Sequence, residues 1–203
     1  MDENKKTIAA YDKIANSFFD VWDKATCMEG KLEEFISYLP QNGLVIDIGC
    51  GTGRDVKYLN LRGKNAIGID LSIGMIKYAK NNNPDGNLCV MDFLKLGIKK
   101  NSITGIWACG SLLHIPKSDL VEALQKLYEI LCNRGVLYLT MQFGDSEGFK
   151  GDGRYFAYYS EDEIKEALLL SKFKIFKIDG NVSTKGTFDA NVKRKWMNFW
   201  ASK

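Results

Sequence analysis

Val45-Ile46-Asp47-Ile48-Gly49-Cys50-Gly51-Thr52-Gly53, running into Arg54-Asp55-Val56-Lys57-Tyr58-Leu59, is the stretch that decides the fold. An apolar run carrying one acid stops at three glycines spaced by two, and a helix-like pattern follows. A buried parallel strand reads this way when it ends in a tight turn feeding a helix. Glycine at alternate positions allows positive φ and lets a ligand come close to the main chain. The unbonded N–H groups of the first helical turn then face that ligand.

Working outward, Ala66-Ile67-Gly68-Ile69-Asp70 reads as a second strand ending in an acid 17 positions after Gly53. An acid there takes both hydroxyls of a ribose, a feature shared by several nucleoside binders. The spacing is G-x-G-x-G after an acid, not G-x-G-x-x-G, and no Lys-Ser/Thr pair marks a P-loop. The string Asp47-x-Gly49-x-Gly51-x-Gly53, with Gly68-Ile69-Asp70-Leu71-Ser72 after it, resembles the class I S-adenosylmethionine-dependent methyltransferases of small-molecule type.

That resemblance implies S-adenosyl-L-methionine as cofactor and S-adenosyl-L-homocysteine as product. It implies cofactor contacts from Asp47, Gly49, Cys50, Gly51 and Gly53 and, at the ribose, from Asp70 with Leu71. Leu88-Cys89-Val90 reads as a short third strand that delivers Met91-Asp92-Phe93 at its end. The resemblance gives that position to the adenine, with Asp92 accepting from the exocyclic amine between apolar walls. On the residues alone, Asp92 reads equally as a turn aspartate. Tyr11-Asp12-x-x-Ala15-x-x-Phe18 resembles the family's Y-D-x-x-A-x-x-Y lid, with Phe at the second aromatic. Tyr11 is then expected over the sulfonium, where an aromatic face is favourable by about 0.5–2 kcal/mol, and Phe18 beside the substrate. Ile8, Tyr11, Ala15, Phe18 and Trp22 also form one face of an amphipathic helix over 3–23, which needs no ligand to explain it.

Composition sets wide bounds. The chain has 203 residues, which predicts one domain over 1–203 with residues 1–40 as a helical lid. Net charge is only +3, so no clustered basic face for nucleic acid is expected. Five scattered cysteines without a C-x-x-C pair read as reduced core residues of a cytoplasmic protein, and no metal site is expected. No apolar stretch reaches a membrane-spanning length, and the polar N-terminus is not a secretory signal.

The rest of the chain alternates strand and helix. A helix over about 28–39 stops at Pro40. Residues 54–62 form a helix ended by Gly63, and Ser72 caps the next one. Residues 103–109 read as strand four, a helix as 117–132, and Val136 to Phe143 as strand five. Helix-length connections call for a parallel sheet covered on both faces, with ligands at the C-terminal strand ends. His114, the single histidine, falls there. It reads either as a base taking the acceptor's proton or as a residue shaping the loop before Pro116. Residues 144–159, with four glycines and no periodicity, read as a substrate loop. In it Arg154 is placed to fork to a carboxylate or phosphate, with Tyr158 shaping an aromatic pocket. Ser160-Glu161-Asp162-Glu163 is a capping box. Strands over 173–179 and 192–202, with no helix between, predict a terminal hairpin. The fold expected is α/β, a Rossmann-like seven-stranded mostly parallel sheet of order 3-2-1-4-5-7-6 with helices on both faces.

The function expected is methyl transfer to an oxygen or nitrogen of a small molecule by a monomer or homodimer. Nucleic-acid acceptors are disfavoured because Cys109-Gly110-Ser111-Leu112 stands where adenine-amine methyltransferases carry N/D-P-P-Y/F. Alternatives are a non-catalytic S-adenosylmethionine-binding regulatory module and a methyltransferase acting on RNA or protein. A nicotinamide oxidoreductase is opposed by the glycine spacing and the terminal hairpin.

Overall fold

The computed structural model describes the backbone of residues 3–22, 28–183 and 194–203, and the side chains of 3–15, 28–180 and 195–203. The Phe18 and Trp22 side chains therefore lie outside the described residues. In chain order the elements are α1 (Glu3–Trp22), α2 (Glu29–Ser37), β1 (Leu44–Ile48), α3 (Arg54–Leu61), β2 (Asn65–Asp70), α4 (Ile73–Asn82) and β3 (Asn87–Val90). Then follow β4 (Ile103–Cys109), α5 (Leu120–Ile130), β5 (Leu131–Gln142), β6 (Glu147–Phe149), β7 (Tyr155–Ala157), α6 (Glu161–Leu170), β8 (Lys174–Ser183) and β9 (Arg194–Ser202).

Seven strands form one sheet in the order β3-β2-β1-β4-β5-β9-β8. With β6 and β7 set aside, this is the expected 3-2-1-4-5-7-6. The first five strands are parallel, and β9 runs antiparallel to both β5 and β8. Central strands are buried on both faces, so side chains alternate between two cores. One joins Ile46, Ile48 and Ile106 to Leu124 and Leu127 of α5 and Ile164 and Leu168 of α6. The other joins Val45 and Trp107 to Phe35 of α2, Val56 and Leu59 of α3, and Ile76 and Ala79 of α4. At ~1.5–3 kcal/mol per buried large apolar side chain, these two layers carry the fold.

Three local readings need correction. The helix expected over 117–132 is a 3-10 turn at Lys117–Asp119 followed by α5, and Leu131 already belongs to β5. Asn133-Arg134-Gly135 lies inside the strand pair, where the register shifts between Ile103↔Leu131 and Gly105↔Val136 and Arg134 adopts φ 61°. This tripeptide, which in the sequence reads as the end of that helix, instead marks a bulge. The 144–159 segment is not structureless: β6 and β7 pair antiparallel, Glu147 to Ala157 and Phe149 to Tyr155. Each strand has three residues, too few to show a period of two. The capping box forms as read, Ser160 Oγ accepting from Glu163 N at 3.2 Å and Glu163 Oε2 accepting from Ser160 N at 2.7 Å.

Candidate active site

A cavity of about 270 Å3 opens at the C-terminal ends of β1, β2, β4 and β5, under α1. Of the residues expected at a site, Tyr11, Asp47, Gly49, Cys50, Gly51, Asp70, Leu71, Phe93, His114 and Arg154 line it. Gly53, Met91, Asp92 and Tyr158 do not.

The glycine turn forms one end. Gly49 and Gly51 adopt φ +70° and +54°. A Cβ on Gly49 would stand 2.5 Å from Ser111 Cβ, whereas one on Gly51 would meet nothing within 4 Å. The first glycine is needed for packing, and the second leaves open space beside the backbone. Gly53 instead sits at the head of α3, its N–H on Cys50 O at 2.9 Å. Asp70 accepts from Gly51 N at 2.9 Å and Ser72 N at 2.8 Å, which fixes its carboxylate across the turn.

Two buried acids beside the turn differ in their partners. Asp55 is held by Arg54, Nε at 2.6 Å and Nη2 at 3.0 Å, and by Trp107 Nε1 at 2.9 Å. Asp47 is only 3% exposed and has no hydrogen-bond partner among the described residues. Burial first, then the neighbouring Asp55, push its carboxyl well above the usual range, against the pull of Arg54. A buried carboxylate facing a cavity without a donor is suited to a cationic ligand group.

Tyr11, Arg154 and His114 come together at the roof. His114 Nδ1 is 2.6 Å from Tyr155 O, and a carbonyl only accepts, so Nδ1 carries the hydrogen. Nε2 then accepts from the Tyr11 hydroxyl at 2.7 Å. Burial holds the imidazole neutral, its pKa lowered from 6.5 to about 4. With both ring nitrogens engaged, no lone pair of the ring is open to an acceptor in this arrangement. Nor does Arg154 fork to open space. Its Nε and Nη2 donate to Asp152 Oδ2 at 2.9 and 2.6 Å, and Nη1 reaches the Tyr11 oxygen at 3.4 Å.

The remaining expected residues fall elsewhere. Asp92 Oδ1 accepts from Leu94 N at 2.8 Å and caps a 3-10 turn, while Phe93 alone of its triplet reaches the cavity wall. Tyr158 stacks on Phe156 with ring centroids 6.1 Å apart, away from the cavity. Lining residues that the sequence reading passed over include Lys31, Thr140, Gln142, Phe156, Trp196 and Asn198. Phe156 sits edge-on to His114 at 4.6 Å.

The helix α1 is fastened over this cavity at three further points. Asp12 Oδ1 accepts from Ser72 Oγ at 2.6 Å and from Gly74 N at 2.8 Å, and Thr7 Oγ1 accepts from Tyr155 N at 3.0 Å. Ser72 thereby touches both Asp12 of the helix and Asp70 of the turn.

Comparison with known proteins bears on this geometry. A family described as "Methyltransferase domain" matches residues 45–135. The malonyl-[acyl-carrier protein] O-methyltransferase of Yersinia pestis is 28% identical over 145 residues, 69% of this chain and 52% of that protein. A probable tRNA methyltransferase 9B of Mus musculus is 26% identical over 139 residues, covering 68% of this chain and 29% of its own. The chain spans about half the length of the curated relatives it matches. Among solved structures, the 1,6-didemethyltoxoflavin-N1-methyltransferase of Burkholderia thailandensis, crystallised with 1,6-didemethyltoxoflavin and S-adenosylhomocysteine, superposes with TM-score 0.77. It is 16% identical and covers 98% of this chain and 89% of its own. Residues 45–135 match the methyltransferase-domain family, and the sheet that continues beyond them completes the fold of solved S-adenosylmethionine-dependent methyltransferases.

Proposed function

We propose that this domain transfers a methyl group from S-adenosyl-L-methionine to an oxygen or nitrogen of a small-molecule acceptor. The observation that carries the reading is Asp47, a buried carboxylate without a hydrogen-bond partner among the described residues, facing the same cavity as the Gly49–Gly51 turn and Asp70. The residues present fit the donor. Asp47 matches its ammonium and sulfonium charges, Asp70 its ribose diol, and Phe93 gives an apolar wall. A dinucleotide would instead bring its pyrophosphate against Asp47.

Bound there, S-adenosyl-L-methionine supplies a methyl carbon on a positively charged sulfur. The chain's own part is to hold and align the reactants, since positioning alone lowers such barriers by several kcal/mol. Tyr11, oriented by His114, offers an aromatic face to the cation, and Asp47 with Asp70 makes the site acidic. That favours the cationic donor over neutral S-adenosyl-L-homocysteine. The pinned α1, with Phe156 of β7, forms one wall of the cavity.

No helix among the described residues is long and apolar enough to cross a membrane. The four described cysteines are free, as suits the reducing cytoplasm where we place the protein. Incubating it with methyl-labelled S-adenosyl-L-methionine and a metabolite extract should give a labelled product one methylene heavier than its precursor. Label appearing only in added RNA or protein would overturn the small-molecule reading.

A further inference from the structure

The far end of the cavity, on β5 and β9, is built unlike the sheet below it. Facing residues pair as Tyr138↔Trp200, Thr140↔Asn198 and Gln142↔Trp196, and side chains of directly opposed residues share a face. The lowest layer is aromatic: Trp107 stacks on Tyr138 at 4.0 Å and 12°, and Tyr138 meets Trp200 at 5.0 Å and 70°. Above it the layer turns polar. Asn198 Oδ1 accepts from Tyr138 Oη at 2.8 Å, and its Nδ2 donates to Asp179 Oδ1 at 3.0 Å. The top layer is Gln142 beside the half-buried Trp196, both on the cavity wall.

Gln142 is 3% exposed, and among the described residues its side-chain amide has no hydrogen-bond partner. A primary amide on the cavity wall without a protein partner is open to a ligand's hydrogen bonds. The amide offers a donor and an acceptor side by side on the sheet face that also carries Trp196, and so complements a planar ring with an N–H next to a C=O. Charge narrows the choice further. Each of the three Lys and Arg side chains on the cavity wall is already held by a carboxylate: Lys31 by Asp179, Arg54 by Asp55 and Arg154 by Asp152. Among the described residues none on the wall is left over for a phosphate or carboxylate on the acceptor.

Resting on the methyltransferase reading above, we infer that the acceptor is a neutral, planar nitrogen heterocycle with a lactam edge, free in solution. It lies against Trp196, with Gln142 reading the paired N–H and C=O. The wall thus specifies an edge and a face, not an anion.

Calorimetry on the full chain separates this inference from the donor site. Binding of S-adenosyl-L-homocysteine is measured first, and its failure would sink the methyltransferase reading itself. The protein saturated with it is then titrated with uracil, hypoxanthine and lumazine. Each is paired with a counterpart N-methylated at the lactam nitrogens. At least one parent ring should bind, and its blocked counterpart should bind at least ten-fold more weakly. Gln142→Leu and Gln142→Ala should each erase that preference, and Trp196→Ala should weaken both members of the pair together. Equal binding of parent and blocked rings, no binding of any ring by donor-loaded protein, or a uridine-containing RNA hairpin binding where free rings do not would each overturn the inference. Because the blocked rings test the edge on the unaltered protein, the result does not depend on how well the variants fold.

Discussion

The Tyr11 hydroxyl donates to Nε2 of His114 across 2.7 Å, joining the first helix to the turn after β4 over 103 positions of sequence. The two residues act as one device, in which the imidazole is useful through the phenol it orients. Tyr11→Phe and His114→Gln should each weaken S-adenosyl-L-methionine binding about five-fold, in line with one net hydrogen bond of ~1 kcal/mol. The double variant should be little worse than either single one. Calorimetric titration of all four proteins checks this, and strictly additive losses would separate the two residues.

The neutral imidazole also sets a pH dependence of stability. The unfolded chain binds a proton below about pH 6.5, whereas burial keeps the folded His114 neutral down to about pH 4. Its contribution is therefore intact above the unfolded pKa and is lost as pH falls through that window. The loss is roughly 2–3 kcal/mol. Denaturant melts of wild type and His114→Gln between pH 4 and 7 should show the steeper loss in wild type. Parallel curves would mean that the folded ring titrates normally.

Asp47 sets function against stability. Replacing its buried carboxylate beside Asp55 by the amide in Asp47→Asn should raise the thermal midpoint by about 2–4 °C, as ~1 kcal/mol does in a chain of this size. The same change should cut S-adenosyl-L-methionine affinity at least ten-fold. In wild type burial and Asp55 raise this carboxyl and an arriving ammonium group lowers it again, so whatever proton it holds is released on binding and affinity climbs with pH. Calorimetry in buffers of different ionisation heat reads that proton. Binding without proton release would remove Asp47 from the donor's charged end.

Gly49 and Gly51, two of the positive-φ glycines, should fail differently. Ala at either costs about 1–2 kcal/mol of backbone strain. Gly49→Ala adds a collision with Ser111, so its melting point should fall further than that of Gly51→Ala. Gly51→Ala should instead fold and lose donor binding, because its new methyl occupies open space by the turn. Thermal melts beside titrations of both variants separate the two effects.

What the sequence made legible is what is local. The strand-turn-helix at 45–59, the acid ending β2 and the capping box at Ser160 each declare themselves within a few residues, and the order of elements followed from them. The terminal hairpin was legible too, since two strand-like runs follow each other there. What its last strand looks at depends on β9 pairing with β5, and Gln142 alone looked like any other residue of a buried strand. Of three acids expected to converge, Asp47 and Asp70 line the cavity, while Asp92 is spent on a cap two residues away. Arg154 misled for a similar reason: Asp152, two positions earlier, already satisfies its guanidinium. Pairings such as Tyr11 with His114 leave no periodic trace at all.

The central claim is that one nucleoside donor is held between Asp47 and Asp70, and titration with S-adenosyl-L-homocysteine and S-adenosyl-L-methionine tests it most directly. Wild type should bind each once per chain, and Asp70→Ala should lose both while melting within a few degrees of wild type. If neither compound binds, or Asp70→Ala binds them as tightly as wild type does, the account is contradicted.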